Sequence, residues 1–89
     1  MPTFPVIHLN GSGKQNLLDQ LGTAAKSLYD SVSALQQAAP HQRDYYINDP
    51  DGSKFAAAQK EHRDRLDRLS SVLEELQEIA INISQQPGR

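Results

Sequence analysis

Two stretches of this chain carry apolar residues in an unbroken alternation of three and four positions. The first runs Leu18, Leu21, Ala25, Leu28, Val32, Leu35 and Ala39. The second runs Leu66, Leu69, Leu73, Leu76, Ala80 and Ile83, and its phase extends backwards through His62, Gln59 and Phe55. Strands alternate every second residue, so this spacing excludes them. It places each set on a single face of a helix, as the seam of a coiled coil requires. A chain with two such seams and little else must lay one against the other.

Turn formers set the boundaries. Pro2 and Pro5 keep residues 1–11 out of a helix, so they read as an extended N-terminal arm. Helices are expected over about 12–39 and 54–84, making 12–84 one helical hairpin. The intervening loop 40–53, "PHQRDYYINDPDGS", opens on Pro40, which forces Ala39 out of helical geometry. In "NDPDGS", Asp49 or Asp51 is expected as the N-cap of the second helix, with Pro50 at its first position. Residues 85–89, "QQPGR", read as a flexible tail. Glu61 with Arg65 and Asp64 with Arg68 stand four apart in the favourable order on the outer face.

An antiparallel arrangement matches the whole seam in one register. Leu18 meets Leu76, Leu21 meets Leu73, Ala25 meets Leu69 and Leu28 meets Leu66. The register continues with Val32 opposite His62, Leu35 opposite Gln59 and Ala39 opposite Phe55, and a slip by one heptad is the alternative that keeps the same faces together. The expected fold is therefore all-α: an antiparallel two-helix hairpin, coiled-coil-like, with an extended arm. Ala80 and Ile83 overshoot the first helix, and Phe4, Val6, Ile7 and Leu9 of the arm are expected to cover them.

Beside the seam, Leu17, Ala24, Val72 and Ile79 share one flank. The other flank carries Gly22, Tyr29, Gln36, Arg63, Ser70 and Gln77. With 89 residues, 6% aromatics and no tryptophan, a lone hairpin has a small core. The apolar flank is expected to be completed by oligomerisation or docking, most simply as a four-helix bundle.

The chemistry-bearing motifs are weak. "GSGK" suggests a phosphate loop, but the spacing that Gly13 and Lys14 would need puts His8 where a glycine belongs and Gln15 where a hydroxyl belongs. A capping box, with Ser12 and Gln15 reciprocally bonded, is the better expectation. "DPDG" resembles a calcium loop, but Ile47 and Ala58 occupy ligand positions. A turn feeding an N-cap accounts for it. His8, His41 and His62 do not form a helical zinc motif, cysteine is absent, and no serine sits in a nucleophile elbow. No catalytic, cofactor or metal residue is expected, and no small-molecule substrate.

In "KEHRDRLDRL" the acids nearly cancel the bases, and the net charge of −2 gives no bulk attraction to nucleic acid. No apolar run is long enough to span a bilayer, and the N-terminus lacks the basic and apolar regions of a signal peptide, so no membrane partner is expected. The connection between Ala39 and Phe55 is 15 residues long, whereas bundle connections run to about two to eight. Its Tyr45, Tyr46 and Ile47 are expected either to fold back on the hairpin or to dock a partner.

With "HLNGSG", then "LL", then "RDYY" before a second helix, the chain resembles small uncharacterised proteins encoded by tailed bacteriophages and prophages. The resemblance implies no catalytic residues. It implies a viral setting, with the protein in the virion or the host cytoplasm and with itself or other phage structural proteins as partners. The expected function is that of a non-enzymatic structural or interaction protein, a virion or assembly component. Its contacts would be Leu17, Ala24, Val72, Ile79, Tyr45 and Tyr46. The alternatives are a small regulatory adaptor binding a host or phage protein in solution, and a weak nucleic-acid binder using Arg63, Arg65 and Arg68.

Overall fold

The computed structural model describes residues 2–87. Met1 of the expected arm and Gly88 and Arg89 of the expected tail lie outside them. Helix α1 spans Lys14–Gln37 and helix α2 spans Ser53–Ser84. Two single turns of 3-10 helix, Gln42–Asp44 and Tyr46–Asn48, occupy the loop. No strand occurs among the described residues. The helices pack against each other as an antiparallel hairpin, a rod of 64 × 21 × 17 Å.

Burial follows the two seams. Leu18, Leu21, Ala25, Leu28, Val32 and Leu35 are half-buried on α1, as are Phe55, Leu66, Leu69, Leu73, Leu76 and Ala80 on α2; His62 and Ile83 are buried. Ile83 is the one large side chain with no exposure at all among the described residues. Each half-buried leucine keeps part of its surface wet, so it contributes on the order of 1 kcal/mol, below the ~1.5–3 of full burial.

The loop end of the seam departs from the expected register. Helix α1 stops at Gln37, and Ala38 has already left helical geometry at φ −92, ψ 18. Pro40 acts further upstream than its immediate neighbour, and Ala39 is exposed. The ring beside Phe55 is that of Tyr45, with centroids 6.0 Å apart and planes tilted by 44°. Gln59, placed opposite Leu35 in the expected register, is also exposed.

Both aspartates serve the start of α2, but neither is the N-cap. That position is Gly52, whose φ of 74° is left-handed and suits a residue without Cβ. Asp49 is buried, its two oxygens accepting from Lys54 N at 2.8 Å and Phe55 N at 3.0 Å. Asp51 accepts from Ser53 N at 3.1 Å. Three of the four amides that a helix start leaves unpaired are thus satisfied by two carboxylates, which also suit the positive end of the helix dipole. Pro50 lies in the turn before the helix, not inside it.

The start of α1 corrects the expected capping box. Its N-cap is Gly13, with no side-chain cap bond. Ser12 is exposed, and the Gln15 amide donates to Asp19 at 2.7 Å instead. The helix begins at Lys14, whose side chain reaches the other helix. Its ammonium donates to the carbonyls of Ser84 at 3.0 Å and Gln86 at 2.8 Å, at the C-terminus of α2. A lysine in the first turn opposes the dipole of its own helix. In an antiparallel hairpin it also stands beside the negative end of the other one.

The arm crosses that same end. Gln86 holds it: Oε1 accepts from Ile7 N at 2.9 Å, while Nε2 donates to Pro5 O at 2.8 Å and to Asn82 Oδ1 at 2.9 Å. Gln86 therefore belongs to the fold and not to a flexible tail. Pro2, Phe4, Pro5 and Ile7 are half-buried, whereas Val6 and Leu9 are 74% and 76% exposed. An arm passing once over a helix end presents one side to it, so Phe4 and Ile7 cover and Val6 and Leu9 do not. Between arm and hairpin, Gly11 N donates to His8 O at 3.2 Å, closing a tight turn beside the exposed His8 ring.

Candidate interaction surface

The helices position the flank residues by heptad arithmetic. In each helix the position preceding the first residue of the seam's three-residue step falls on the same side of the hairpin. These are Leu17, Ala24 and Ser31 on α1, and Ala58, Arg65, Val72 and Ile79 on α2. Leu17 and Ile79, nearest the arm end, are half-buried; Ala24 is exposed, and Val72 is 47% exposed. The wet part of the flank is therefore its middle. There a shallow groove is lined by Leu35, Leu69, Arg65 and Arg68: two seam leucines with two guanidinium side chains on α2. The i, i+4 pairing alone places Arg65 and Arg68 on the outer face. Their positions next to the seam, where they flank exposed leucine surface, were the signal available.

The arginines are not held tightly. Arg68 Nε lies 3.2 Å from Asp64, and Arg65 lies 4.0 Å from Glu61, with side chains more than half exposed. Exposed pairs four apart contribute about 0.3–0.5 kcal/mol each and leave the guanidiniums free to change partner. Glu74, Glu75 and Glu78, further along α2, make no ion pair among the described residues.

At the far tip of the rod, Tyr45 and Tyr46 diverge. Tyr45 folds back on Phe55 and is half-buried. Tyr46 is 63% exposed and Ile47 is 78% exposed. The structure thus separates two residues that the sequence put together: one belongs to the core, and one is available for contact.

Polar chemistry is sparse. His62 is 7% exposed and its Nε2 has no hydrogen-bond partner. His41 Nδ1 accepts from Arg43 N at 3.3 Å, a local turn. Among the described residues no group of three or more His, Cys, Asp or Glu side chains converges as metal ligands. No described helix is long and apolar enough to cross a membrane. Asp51 has its carboxyl pKa lowered, first by the hydrogen bond from the Ser53 amide and then by that from the Ser53 side chain.

No family model matches the chain, and comparison with curated proteins and with solved structures gives no significant match.

Proposed function

We propose that this is a non-enzymatic structural or interaction protein, a helical hairpin that self-associates or docks on a larger assembly. The carrying observation is the amount of surface the chain leaves exposed. Its accessible surface is 6679 Å², whereas a compact monomer of 9.9 kDa exposes about 5,200 Å². Its radius of gyration is 19.2 Å, against about 12 Å for a compact domain of this length. A rod with one fully buried large side chain among its described residues gains most by covering its flank.

The viral setting rests on the resemblance carried by "HLNGSG" and "RDYY". On that reading the protein is a virion or assembly component of a tailed phage, in the particle or the host cytoplasm. The partners are itself or other phage structural proteins. Exposed Tyr46 and Ile47 favour a second reading, a soluble adaptor that grips a host or phage protein with its loop tip. Mass spectrometry of purified particles separates the two. Val72→Glu with Ile79→Glu is expected to preserve helix content and abolish incorporation or co-assembly, since carboxylates would be desolvated at the contact. Normal incorporation of that double variant would remove the flank from the reading and leave the loop tip.

A further inference from the structure

We propose that the partner on this flank is a second copy of the chain, with α2 lying antiparallel to α2 of that copy. The proposal deepens the reading above and rests on it. The surface in excess of a compact monomer is about 1,500 Å² per chain. Two chains burying that much would form an interface of about 3,000 Å², within the roughly 2,000–5,000 Å² of obligate homodimers.

Charge fixes the direction. The N-terminal half of α2 holds Lys54, Lys60, Arg63, Arg65 and Arg68 against Glu61, Asp64 and Asp67. Its C-terminal half holds only Glu74, Glu75 and Glu78 as charged groups. A parallel pair would set these glutamates against each other. An antiparallel pair sets the acidic half of each helix against the basic half of the other, on a two-fold axis.

A second alternation of three and four along α2 gives the contact stripe, Ala58, Glu61, Arg65, Arg68, Val72, Glu75, Ile79 and Asn82, and we centre it between Arg68 and Val72 so that Arg65 meets a glutamate. Paired with itself layer by layer, as the inner seam is, it brings Arg65 opposite Glu75 of the second copy and Arg68 opposite Val72. The groove then receives that valine on its Leu35 and Leu69 floor, with the glutamate at the Arg65 guanidinium. The two-fold axis repeats both contacts.

The test is charge reversal in the full chain, purified alone and followed by sedimentation at low salt with helix content as control. The wild type is expected to sediment at twice 9.9 kDa. Arg65→Glu or Glu75→Arg alone replaces two attractions by two repulsions and is expected to weaken the dimer by about tenfold or more. The two changes together exchange the signs and are expected to restore it. A monomeric wild type would overturn the second copy while leaving docking on another protein intact, because that is read from particle incorporation of Val72→Glu with Ile79→Glu. A dimer indifferent to the single changes, or not restored by their combination, would overturn the antiparallel register.

Discussion

Lys14 Nζ donates to the carbonyl of Ser84 at 3.0 Å, so the first residue of α1 closes the last turn of α2. The contact spans nearly the whole chain. It makes the two termini of the hairpin one structural unit, with the Gln86 clamp on the arm beside it. Such a contact has a consequence for two neighbouring residues that sequence alone would rank the other way.

Lys14→Met keeps the aliphatic stem and removes the ammonium. It is expected to cost about 1–2 kcal/mol, since charge-assisted bonds at a helix C-terminus are lost. Ser12→Ala is expected to stay within about 0.5 kcal/mol of wild type, as an exposed residue making no cap bond should. Chemical denaturation of both variants checks the order. A larger loss for Ser12→Ala would reinstate the capping box.

His62 occupies a seam position with its Nε2 buried and unpaired. Leaving a polar atom without a partner in the interior costs about 1–3 kcal/mol, whereas an apolar side chain of similar size carries no such cost. His62→Leu is therefore expected to raise stability by about 1–2 kcal/mol. Thermal and urea unfolding would show it. An unchanged or lower midpoint would mean that the imidazole has a partner, water included.

The hairpin and its seam were legible because a three–four alternation is a property of the chain in one dimension. The contacts at the two ends were not, because they depend on which termini meet. "GSGK" permits a capping box, but nothing local says that Lys14 will be drawn to carbonyls some 70 positions away. "RDYY" marks two aromatics without saying that only Tyr45 faces Phe55. The flank residues were readable from heptad position. How wet each one is depends on the arm and on where α1 stops, neither of which a periodicity encodes.

The α2 start depends on carboxylates, so acid should loosen it. The Asp51 pKa lies below its ordinary value of 3.8 in the fold, chiefly through the Ser53 amide. A depressed carboxyl stabilises the folded state above the unfolded value, and that contribution disappears as pH falls through the lowered one. Protection of the Ser53 amide, taken relative to the intrinsic exchange rate at each pH, is therefore expected to fall below about pH 4, and Asp51→Asn should remove this dependence. Asp49→Ala, which leaves Lys54 N and Phe55 N without acceptors, is expected to cost about 1–2 kcal/mol at neutral pH. If Ser53 exchange kept one pH profile with and without Asp51, the carboxylate would not be its acceptor.

Ile83 tests the arm. It is fully buried at the end of α2 that both the first turn of α1, through Lys14, and the arm, through Gln86, reach. The half-buried arm residues Phe4 and Ile7, held at this end by Gln86, are expected to supply part of its cover. Ile83→Val in the full chain is expected to cost about 0.5–1.5 kcal/mol, the range for deleting one buried methyl group. In a chain beginning at Gly11 the same methyl would stand near water, and the loss should shrink towards zero. The difference between the two measurements is the coupling between arm and helix end. Equal losses in both backgrounds would show that Ile83 is buried without the arm.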